Sequence, residues 1–382
     1  NKFFLQKEFI GKNSLDNVRP IISEIGAKKI LLVTGKDSYK QSGSEDRLAP
    51  YLDNMITRRF FDFEVNPNIK DVQAGIDIIL SFKPDLVIAI GGGSVIDMAK
   101  LINIFSVHVN KEREIREFVN KSSSVKRKGL PLIAIPTTSG TGSEATHFAV
   151  VYIKNKKYSF AHKYVLPNFA IVDPSLSYSN PAYIKACSAL DALSQAIESF
   201  WAVGSSEESK NYSREAIRMI LKSVEASVIE SDEKSMHTMS LAANLAGKAI
   251  NITKTTAPHA ISYPITKYLS IPHGHAVALT LGKFFILNSQ YSANQINDIR
   301  GADYLDSLFK ELFDLFECSG PEECSKKWYQ LMLNIGLKID LKTIFSEKKI
   351  SYELISNDIN LERLNNNPVK VNSAQIKDLF LL

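Results

Sequence analysis

The sequence predicts an α/β domain with a parallel sheet followed by an all-helical domain, and three observations support this fold class. Short apolar runs that end in glycine or proline alternate with amphipathic segments through the first half of the chain, as in parallel strands joined by helical crossovers. After Pro181 the apolar residues recur at helical spacing, with few β-branched runs. A chain of 382 residues also exceeds what one hydrophobic core usually supports. We therefore predict an α/β domain over residues 1–180 and an all-helical domain over residues 181–382.

The individual elements are predicted from the length and period of the apolar runs. The segments predicted as buried parallel strands are residues 28–35, 85–93, 130–138 and 169–174. Between them, apolar residues at helical spacing predict helices over residues 72–83 and 95–107. The clearest helices of the second half are predicted over residues 183–201, 207–228, 237–252 and 303–316.

The composition is that of an ordinary soluble globular protein, with 45% hydrophobic residues, 23% charged residues and a net charge of +5. We interpret the short basic run at residues 126–128 as a solvated loop and expect no nucleic-acid partner, because no recognition module is visible. No apolar run is long enough to cross a bilayer. Charges interrupt the apolar residues 1–11, so we expect no signal peptide.

The three cysteines are Cys187, Cys318 and Cys324. An odd count without paired short spacing argues against a disulfide framework. We therefore expect a reducing, cytoplasmic location.

A glycine-rich loop, GGGSVIDMAK, follows the predicted strand at residues 85–93 and opens the next helix. Gly92 and Gly93 have no Cβ, so a phosphate could approach the backbone closely. We interpret Ser94 as the N-cap of the helix, with Asp97 returning a bond in a capping box. The N–H groups of the first turn would then face an anion. A tight turn that binds nothing is the alternative, and the motif is not the GxGxxG fingerprint.

A second polar loop, PTTSGTGSEAT at residues 136–146, follows the predicted strand at residues 130–138. Its alternating hydroxyls and glycines give many small hydrogen-bonding groups at the carboxyl edge of the sheet, where α/β folds bind ligands. Alone, this segment would also suit a flexible linker. Together with the glycine loop, it predicts the other wall of a nucleotide cleft.

Two polar side chains interrupt the apolar helical segment SALDALSQAIESF. Asp191 and Gln195 are four residues apart and therefore share one helical face. A capped or solvated aspartate is the alternative. With the imidazoles of His259 and His273, the two side-chain oxygens would suit a divalent first-row metal, iron or zinc.

Five segments, in this order and at these separations, give the chain a resemblance to the iron-containing (group III) alcohol dehydrogenase family. They are GGGSVIDMAK, PTTSGTGSE, AIVDPSL, LDALSQAIES and IPHGHAVAL, and the resemblance covers essentially the whole chain. It implies an N-terminal nucleotide-binding domain and a C-terminal helical domain. It also implies hydride transfer between NAD(P) and an alcohol or aldehyde carbon at a divalent metal, Fe²⁺ or Zn²⁺, in a homodimer or larger oligomer.

The same resemblance implies the metal ligands, which in the family are an Asp, a His four residues later and two further His. Asp191, His259 and His273 match three of these positions. Gln195 occupies the second position, and Tyr263 stands where another His is frequent. A glutamine carbonyl is a weaker ligand than imidazole. Gln195 therefore coordinates the metal, or orients the substrate beside a three-ligand metal, or belongs to a site that works without metal through hydrogen bonds.

The resemblance also implies ten nucleotide contacts. They are Gly35, Asn66, Gly92, Gly93, Ser94, Asp97, Thr137, Thr138, Ser143 and Lys157. A solvated loop residue is the alternative for Lys157. Many NAD-specific relatives carry an Asp after the threonine of the first strand, where it repels a 2′-phosphate. Gly35 removes this repulsion and Lys36 follows it, so NADP is permitted beside NAD.

The segments around Gln195 and Lys254 resemble one branch of the family, the phosphonoacetaldehyde reductases, which form 2-hydroxyethylphosphonate. A small anionic aldehyde needs a cation, and Lys254 lies five residues before His259; a surface cation at a helix end is the alternative. His275 is a candidate proton relay and His147 a candidate substrate contact, each with an ordinary loop residue as the alternative. In the implied mechanism the metal polarises the aldehyde oxygen and the nicotinamide delivers the hydride.

Other functions share parts of this pattern. The dehydroquinate synthase and glycerol-1-phosphate dehydrogenase groups share the glycine loop and the metal site, and a maleylacetate-type reductase would work without metal. A non-catalytic nucleotide-binding relative is the alternative from another class. Gln195 and Tyr263 support that alternative, whereas the retained aspartate and histidines at the other metal positions oppose it.

Overall fold

The computed structural model describes residues 6–109, 112–119, 125–154, 156–348 and 352–381. The first five residues of the N-terminal segment, for which no signal peptide is expected, lie outside the described residues. The chain divides into two compact units, Asn1–Asn180 and Pro181–Leu382. The described strands all belong to the first unit, and the second is built from helices.

The strands are β1 (Lys7–Ile10), β2 (Lys29–Thr34), β3 (Ile56–Phe60), β4 (Leu86–Gly91), β5 (Leu132–Pro136), β6 (Phe148–Ile153), β7 (Lys156–Ala161) and β8 (Phe169–Val172). Six of them form one sheet in the order β1-β8-β5-β4-β2-β3. Every pair in this sheet is parallel, which confirms the predicted α/β class. The other two, β6 and β7, form a separate antiparallel hairpin.

Both faces of the sheet are covered, which explains the near-continuous apolar runs of its inner strands. All six residues of β4 are buried. Val87 and Ala89 belong to one hydrophobic core, and Leu86, Ile88 and Ile90 belong to another. Because successive side chains of a strand point to opposite faces, a strand covered on both sides needs an apolar residue at every position.

The two polar loops of the first unit start at the same edge of the sheet. The last residues of β4 and β5, Gly91 and Pro136, are paired in register. The other neighbour of β4 is β2, with Thr34 paired to Ile90. The glycine loop, the second polar loop and Gly35 therefore begin side by side at the carboxyl ends of three neighbouring strands, where α/β folds bind ligands.

The described helices of the first unit are α1 (Val18–Ile25), α2 (Ser38–Gln41), α3 (Ser44–Leu52), α4 (Ile69–Phe82), α5 (Gly93–Phe105) and α6 (Glu112–Val119). The predicted helices over residues 72–83 and 95–107 correspond to α4 and α5. The basic run at residues 126–128 lies in the loop before β5. The N–H groups of Lys126 and Arg127 donate to His108 Nε2 at 3.1 Å, so backbone hydrogen bonds hold this loop in place.

The described helices of the second unit are α7 (Ala182–Trp201), α8 (Glu207–Glu225), α9 (Glu233–Thr253), α10 (Ala257–Leu269), α11 (His273–Ser289), α12 (Ala302–Leu315), α13 (Pro321–Asn334), α14 (Leu341–Lys348), α15 (Tyr352–Ser356), α16 (Leu361–Asn365) and α17 (Ser373–Leu381). A π-helical turn, Ala226–Glu230, follows α8. Among the residues that the structure describes, no helix is long and apolar enough to cross a membrane.

Helix α7 lies at the centre of the second unit and packs against α8, α9 and α11. Every residue from Ala189 to Trp201 is buried. Asp191, Gln195 and Glu198 are among these buried residues, and their spacing of four and then three residues places them on one helical face. Buried polar groups are unfavourable unless they are hydrogen-bonded or bind a cation, so this polar face marks the candidate site.

Candidate functional site

Three helices of the second unit bring a carboxylate and two imidazoles together. Asp191 lies on α7, His259 in the first turn of α10, and His273 at the first residue of α11. The Nε2 atoms of His259 and His273 lie 3.4 and 3.9 Å from Asp191 Oδ1. One candidate ligand atom of each residue lies within 4.8 Å of the others. These donor types, converging on one point, are those of a divalent metal site.

The electrostatics of this cluster favour a cation at its centre. His259 and Asp191 are each 3% exposed. Burial by itself would lower the pKa of His259, but the carboxylates of Glu198 and Asp191 raise it to about 9. A buried position that stabilises a proton this strongly also stabilises a metal cation, which competes with the proton for the imidazole nitrogen.

Gln195 lies on the same face of α7, one helical turn after Asp191. Its side chain is buried, and its carbonyl oxygen has no hydrogen-bond partner among the described residues. Leaving a buried acceptor unsatisfied costs about 1–3 kcal/mol, which a metal ion or a substrate donor would offset. The residues present therefore fit a divalent metal, and both coordination and substrate orientation suit the Gln195 oxygen.

Glu198 is not among the predicted site residues, yet it holds the His259 ring. Its Oε1 accepts hydrogen bonds from the His259 N–H at 3.1 Å and from the N–H and hydroxyl of Thr256 at 3.2 and 2.9 Å. Its Oε2 accepts a hydrogen bond from His259 Nδ1. A carboxylate at Nδ1 leaves Nε2 facing Asp191, as for many metal-bound histidines. In the sequence, the position of Glu198 on the same helical face as Asp191 and Gln195 indicates this role.

Gly274 allows α11 to begin directly against α7. A Cβ at this position would lie 2.0 Å from the carbonyl oxygen of Cys187 and 2.8 Å from Asp191 Cβ. Any side chain would therefore push the first turn of α11, and His273 with it, away from Asp191. The glycine between the two histidines of IPHGHAVAL was the sequence signal for this close approach.

Tyr263 borders the His273 imidazole, and Arg363 lies against Tyr263. The Tyr263 and His273 rings are stacked, with centroids 5.7 Å apart and an interplanar angle of 25°. Burial raises the pKa of Tyr263, while the charge of Arg363 and its hydrogen bond to the phenol act in the opposite direction. Arg363 lies on α16 and is 5% exposed. No motif signalled this buried cation, which lies far from His273 in the chain.

His275, the predicted proton relay, is buried beside the cluster rather than within it. Its Nε2 lies 2.7 Å from the carbonyl oxygen of Lys338, and its Nδ1 lies 3.1 Å from the Tyr183 hydroxyl. Burial lowers the pKa of His275, which favours the neutral ring. A carbonyl only accepts, so the neutral ring carries its proton on Nε2 and Tyr183 donates to Nδ1. A proton relay from His275 to Tyr183 would therefore require a second proton on the ring, which burial disfavours.

The other two predicted catalytic residues, Lys254 and His147, lie in different units. Lys254 follows α9, is 41% exposed, and its ammonium forms an ion pair with Glu362. Part of its charge is thus compensated at the surface. His147 precedes β6 in the first unit, where its carbonyl oxygen accepts a hydrogen bond from the His162 N–H at 3.0 Å.

The predicted capping box at the start of α5 is wrong. The N-cap is Gly92, and no side chain caps the helix. Ser94 lies within the first turn, because β4 runs almost directly into the helix. Asp97 instead accepts hydrogen bonds from the Ser143 hydroxyl at 2.6 Å and the Val150 N–H at 2.9 Å. The positive end of α5, without a side-chain cap, is suited to a phosphate at the edge of the sheet.

A buried lysine ties the second polar loop to α5. Lys100 is 1% exposed, and it is not among the predicted site residues. Its ammonium donates to the Ser143 carbonyl at 2.5 Å, the Ser143 hydroxyl at 3.1 Å, the Thr146 hydroxyl at 3.0 Å and the Phe148 carbonyl at 3.0 Å. Burial lowers the pKa of Lys100 to about 8, against the opposing carboxylates of Asp97 and Glu144. The ammonium thus fixes the loop that carries the predicted nucleotide contact Ser143.

The glycine loop and the second polar loop pack directly on each other. A Cβ on Gly93 would lie 2.7 Å from Thr141 Cγ2, so only glycine fits this contact without a shift. The Thr138 side chain lies beside Gly92 in ordinary contact distance. The Thr137 N–H donates to the Gly91 carbonyl at 3.0 Å. The structure therefore brings these predicted nucleotide residues into one continuous surface.

The remaining predicted nucleotide residues lie on other elements of the first unit. Gly35 directly follows β2. Asn66 is exposed in the segment before α4. Lys157 lies on β7, and its charge acts on the carboxyl group of Asp97, which places it near the start of α5.

Replacing Lys100 with methionine is expected to remove a pH dependence of stability. The pKa of Lys100 falls from 10.5 to about 8 on folding. Between these values the unfolded chain binds more protons than the folded chain, so the free energy of unfolding rises with pH. From about pH 7.5 to about pH 9.5, the wild type should gain roughly 2 kcal/mol relative to Lys100→Met in urea unfolding. A difference that does not change with pH would contradict the burial of this ammonium.

The chain matches two sequence profiles of one family. The profile described as iron-containing alcohol dehydrogenase matches residues 6–174, and that of the C-terminal part of the Fe-containing alcohol dehydrogenase family matches residues 185–381. Long-chain-alcohol dehydrogenase 1 of Geobacillus thermodenitrificans is 31% identical over 333 residues, covering 86% of this chain and 82% of that protein. The aldehyde-alcohol dehydrogenase of Streptococcus pneumoniae serotype 4 is 29% identical, and the match covers 85% of this chain but 38% of that protein.

A solved structure shows the same architecture over nearly the whole chain. Sulfoacetaldehyde reductase from Bifidobacterium kashiwanohense, in complex with NAD⁺, has a TM-score of 0.85 and 28% identity, covering 98% of this chain and 96% of that one. The donor set around Asp191 fits the divalent metal that such enzymes use together with NAD(P). The chain belongs to the iron-containing alcohol dehydrogenase family and is an oxidoreductase acting on CH–OH groups.

Proposed function

We propose that the protein reduces a small anionic aldehyde to the corresponding alcohol, with phosphonoacetaldehyde and its product 2-hydroxyethylphosphonate as the preferred pair. NAD(P)H is the hydride donor, and Fe²⁺ or Zn²⁺ is held by Asp191, Gln195, His259 and His273. The observation that carries the anionic class is Arg363, a buried guanidinium against Tyr263, whose ring stacks on that of the predicted ligand His273.

The segment that carries Arg363 is anchored to the end of α9 and to the connection that leads into α10, the helix of His259. The Asn366 side-chain amide donates to the carbonyl oxygens of Thr253 and Thr255 at 2.8 and 3.0 Å. The ion pair of Lys254 with Glu362 attaches the helix at a second point. Lys254 thereby positions α16, and Arg363 supplies a buried positive charge against Tyr263. A cation in a buried place acts more strongly on an anion than a half-exposed, paired one.

The relative from Bifidobacterium kashiwanohense supports this substrate class, because it is a reductase of sulfoacetaldehyde. A sulfonate and a phosphonate differ in charge and protonation but present the same tetrahedral group of acceptor oxygens one carbon from the aldehyde. Both call for a guanidinium or amide donor at the far end of the substrate. Gln195 is one of the two residues that support the non-catalytic alternative, but its buried carbonyl oxygen suits a metal or a substrate donor.

Each residue around the metal cluster has a separate role in the proposed reduction of the aldehyde. When bound, the metal polarises the aldehyde oxygen as a Lewis acid, and NAD(P)H supplies the hydride. Glu198 holds the His259 ring in the orientation that presents Nε2 to Asp191. Gln195 offers its carbonyl to the metal, or its amide N–H groups to the substrate anion. The proton that completes the alcohol comes from solvent, since neutral His275 holds its one proton on Nε2, towards the Lys338 carbonyl.

Removing the charge of Arg363 is expected to change substrate preference rather than general activity. In Arg363→Met, kcat/KM for phosphonoacetaldehyde should fall about 10- to 100-fold, the usual contribution of a hydrogen bond to a charged group. For acetaldehyde it should change by less than about twofold, since an uncharged substrate does not need the cation.

Lys254→Met is the matched control, because it removes the half-exposed cation that is paired with Glu362. We expect a loss below about threefold for the anionic aldehyde, in line with exposed ion pairs. A selective loss in Lys254→Met instead would transfer the anion-binding role to Lys254. Equal losses for both aldehydes in Arg363→Met would contradict the anionic substrate class.

The proposal includes a cytoplasmic location and a homodimer or larger assembly. The three cysteines are free thiols, two of them buried, which suits a reducing compartment. Light scattering of the purified chain measures the assembly directly. A maleylacetate-type alternative differs in one respect that is easily measured, because it predicts full turnover after removal of metal.

A further inference from the structure

We infer that Arg59 recognises the 2′-phosphate of NADP(H), and that the protein binds NADPH in preference to NADH. The inference deepens the proposed function, and it rests on NAD(P)H as the hydride donor and on the predicted nucleotide residues of the first unit. Arg59 lies on β3, the edge strand beside β2. It is not among the predicted nucleotide residues, because nothing in the sequence near it resembles a nucleotide motif.

The guanidinium of Arg59 is fixed at the carboxyl end of β2. Its Nε donates to the Thr34 hydroxyl at 2.7 Å, and its Nη2 donates to the carbonyl oxygens of Gly35 and Lys36, each at 2.9 Å. In dinucleotide-binding α/β folds, an acidic residue near the carboxyl end of a strand takes the ribose 2′-hydroxyl of NAD, or a nearby arginine accommodates the 2′-phosphate of NADP. Here Arg59 lies beside Gly35, and Gly35 stands at the position where many NAD-specific relatives carry an acidic residue.

Arg59 packs against two aromatic rings and forms no ion pair with any residue that the structure describes. The guanidinium lies 4.8 Å from the ring centroid of Tyr39 and 4.4 Å from that of Phe61, distances typical of cation–π contacts. Its hydrogen-bond partners carry no formal charge. Among the residues that the structure describes, no carboxylate pairs with Arg59, and its Nη1 has no hydrogen-bond partner. Its remaining donors are therefore available to a dianionic phosphate.

The surroundings of Gly35 connect Arg59 to the phosphate-binding end of α5. A Cβ on Gly35 would lie 2.1 Å from Ser38 Oγ, so an acidic side chain at this position would require Ser38 to move. The same Cβ would lie 4.0 Å from Val95, a residue of the first turn of α5. A nucleotide whose pyrophosphate meets that turn would thus have its adenosine ribose near Gly35 and its 2′-position towards Arg59.

The test is calorimetric titration of the purified holoenzyme with adenosine 2′,5′-bisphosphate and with 5′-AMP, which differ only in the 2′-phosphate. We expect the wild type to bind the bisphosphate at least about tenfold more tightly. In Arg59→Met the two affinities should become equal within about twofold, through loss of bisphosphate affinity while 5′-AMP affinity is kept. NADPH and NADH titrations followed by fluorescence should show the same pattern.

Arg58→Met is the matched control. Arg58 is the preceding residue of the same edge strand, is exposed, and points to the opposite face. It should keep the wild-type preference, since a general effect of net charge would be the same in both variants. Arg59→Lys provides a second variant if Arg59→Met does not fold. It keeps the charge without the planar fork and should keep part of the preference.

Equal affinity of the wild type for the two probes would overturn the inference. An equal loss for both probes in Arg59→Met would also overturn it, because that is the result expected if Arg59 only joins β2 to β3. Neither measurement needs an aldehyde or turnover. The reductase function can therefore fail while this inference stands, and this inference can fail while the reductase function stands.

Discussion

Replacing His259 with alanine is expected to abolish aldehyde reduction while leaving nucleotide binding intact. The variant removes one predicted metal ligand and also the partner of the buried Glu198 carboxylate. Changing a residue that only orients a metal ligand lowers metal affinity about 10- to 100-fold. Removing the ligand itself should therefore lower metal affinity more than about 100-fold. NADPH binding, which is predicted for the first unit, should stay within about twofold. Metal content by mass spectrometry, kcat/KM and fluorescence titration measure the three quantities.

His237→Ala is the control for this experiment. His237 lies on α9 and is outside the metal cluster. It should keep the wild-type metal content and activity. If His259→Ala retained both as well, the metal assignment would be contradicted. A loss of nucleotide binding in His259→Ala would point to general unfolding, which thermal melting of the variant would reveal.

Replacing Glu198 with glutamine is expected to weaken metal binding about 10- to 100-fold, since the carboxylate partner of a ligating histidine would be neutralised. Excess metal should restore most of the turnover, because the predicted ligands remain. A competition titration with a chelating dye measures the affinity. The exposed Glu215 of α8 offers the matched control, and Glu215→Gln should leave the affinity unchanged. An unchanged affinity in Glu198→Gln would contradict the role of Glu198 in holding His259.

The same variant should alter the pH dependence of the metal-free protein. The pKa of His259 is raised from 6.5 to about 9 through the Glu198 and Asp191 carboxylates, in spite of burial. A raised pKa stabilises the folded state fully below the unfolded value of 6.5, and this stabilisation is lost as the pH rises through about 9. In Glu198→Gln the decline should be smaller and should lie at lower pH, as thermal melting across this range would show.

The sequence was sufficient for the elements that are buried on both sides. The strands β2, β4 and β5 are predicted because each presents an unbroken apolar run to two cores, and β8 because all four of its apolar residues are buried. The edge strand β3 was not predicted, since Ile56, Thr57 and Arg58 are exposed and only its last residue, Phe60, is buried. Its strand conformation depends on pairing with β2. A local sequence pattern does not show such pairing.

The candidate site was predictable where a motif carried it. Asp191, His259 and His273 follow from family spacing, and the structure brings their side chains together. Glu198 and Gly274 lie inside the same motifs, but their roles depend on which helices meet. Arg59 and Arg363 contact residues that are far away in the chain, so no local sequence pattern predicts their roles.

The prediction of a capping box at the start of α5 was wrong because the partners of Asp97 are also far away in the chain. Local spacing suggested that Asp97 bonds to the start of its own helix. The structure gives it partners on the second polar loop and on β6 instead, and Lys100 binds that loop from the same helix. Side chains with strong non-local partners override the local capping preference.

The most direct test of the proposed reductase function is NADPH oxidation by the purified protein with phosphonoacetaldehyde, beside acetaldehyde as the uncharged control, with and without added Fe²⁺ or Zn²⁺. We expect metal-dependent oxidation that strongly prefers the phosphonate, and loss of turnover after chelation that either metal ion restores. Equal rates for the two aldehydes would contradict the anionic substrate class. Full turnover after exhaustive removal of metal would contradict the role assigned to Asp191, His259 and His273.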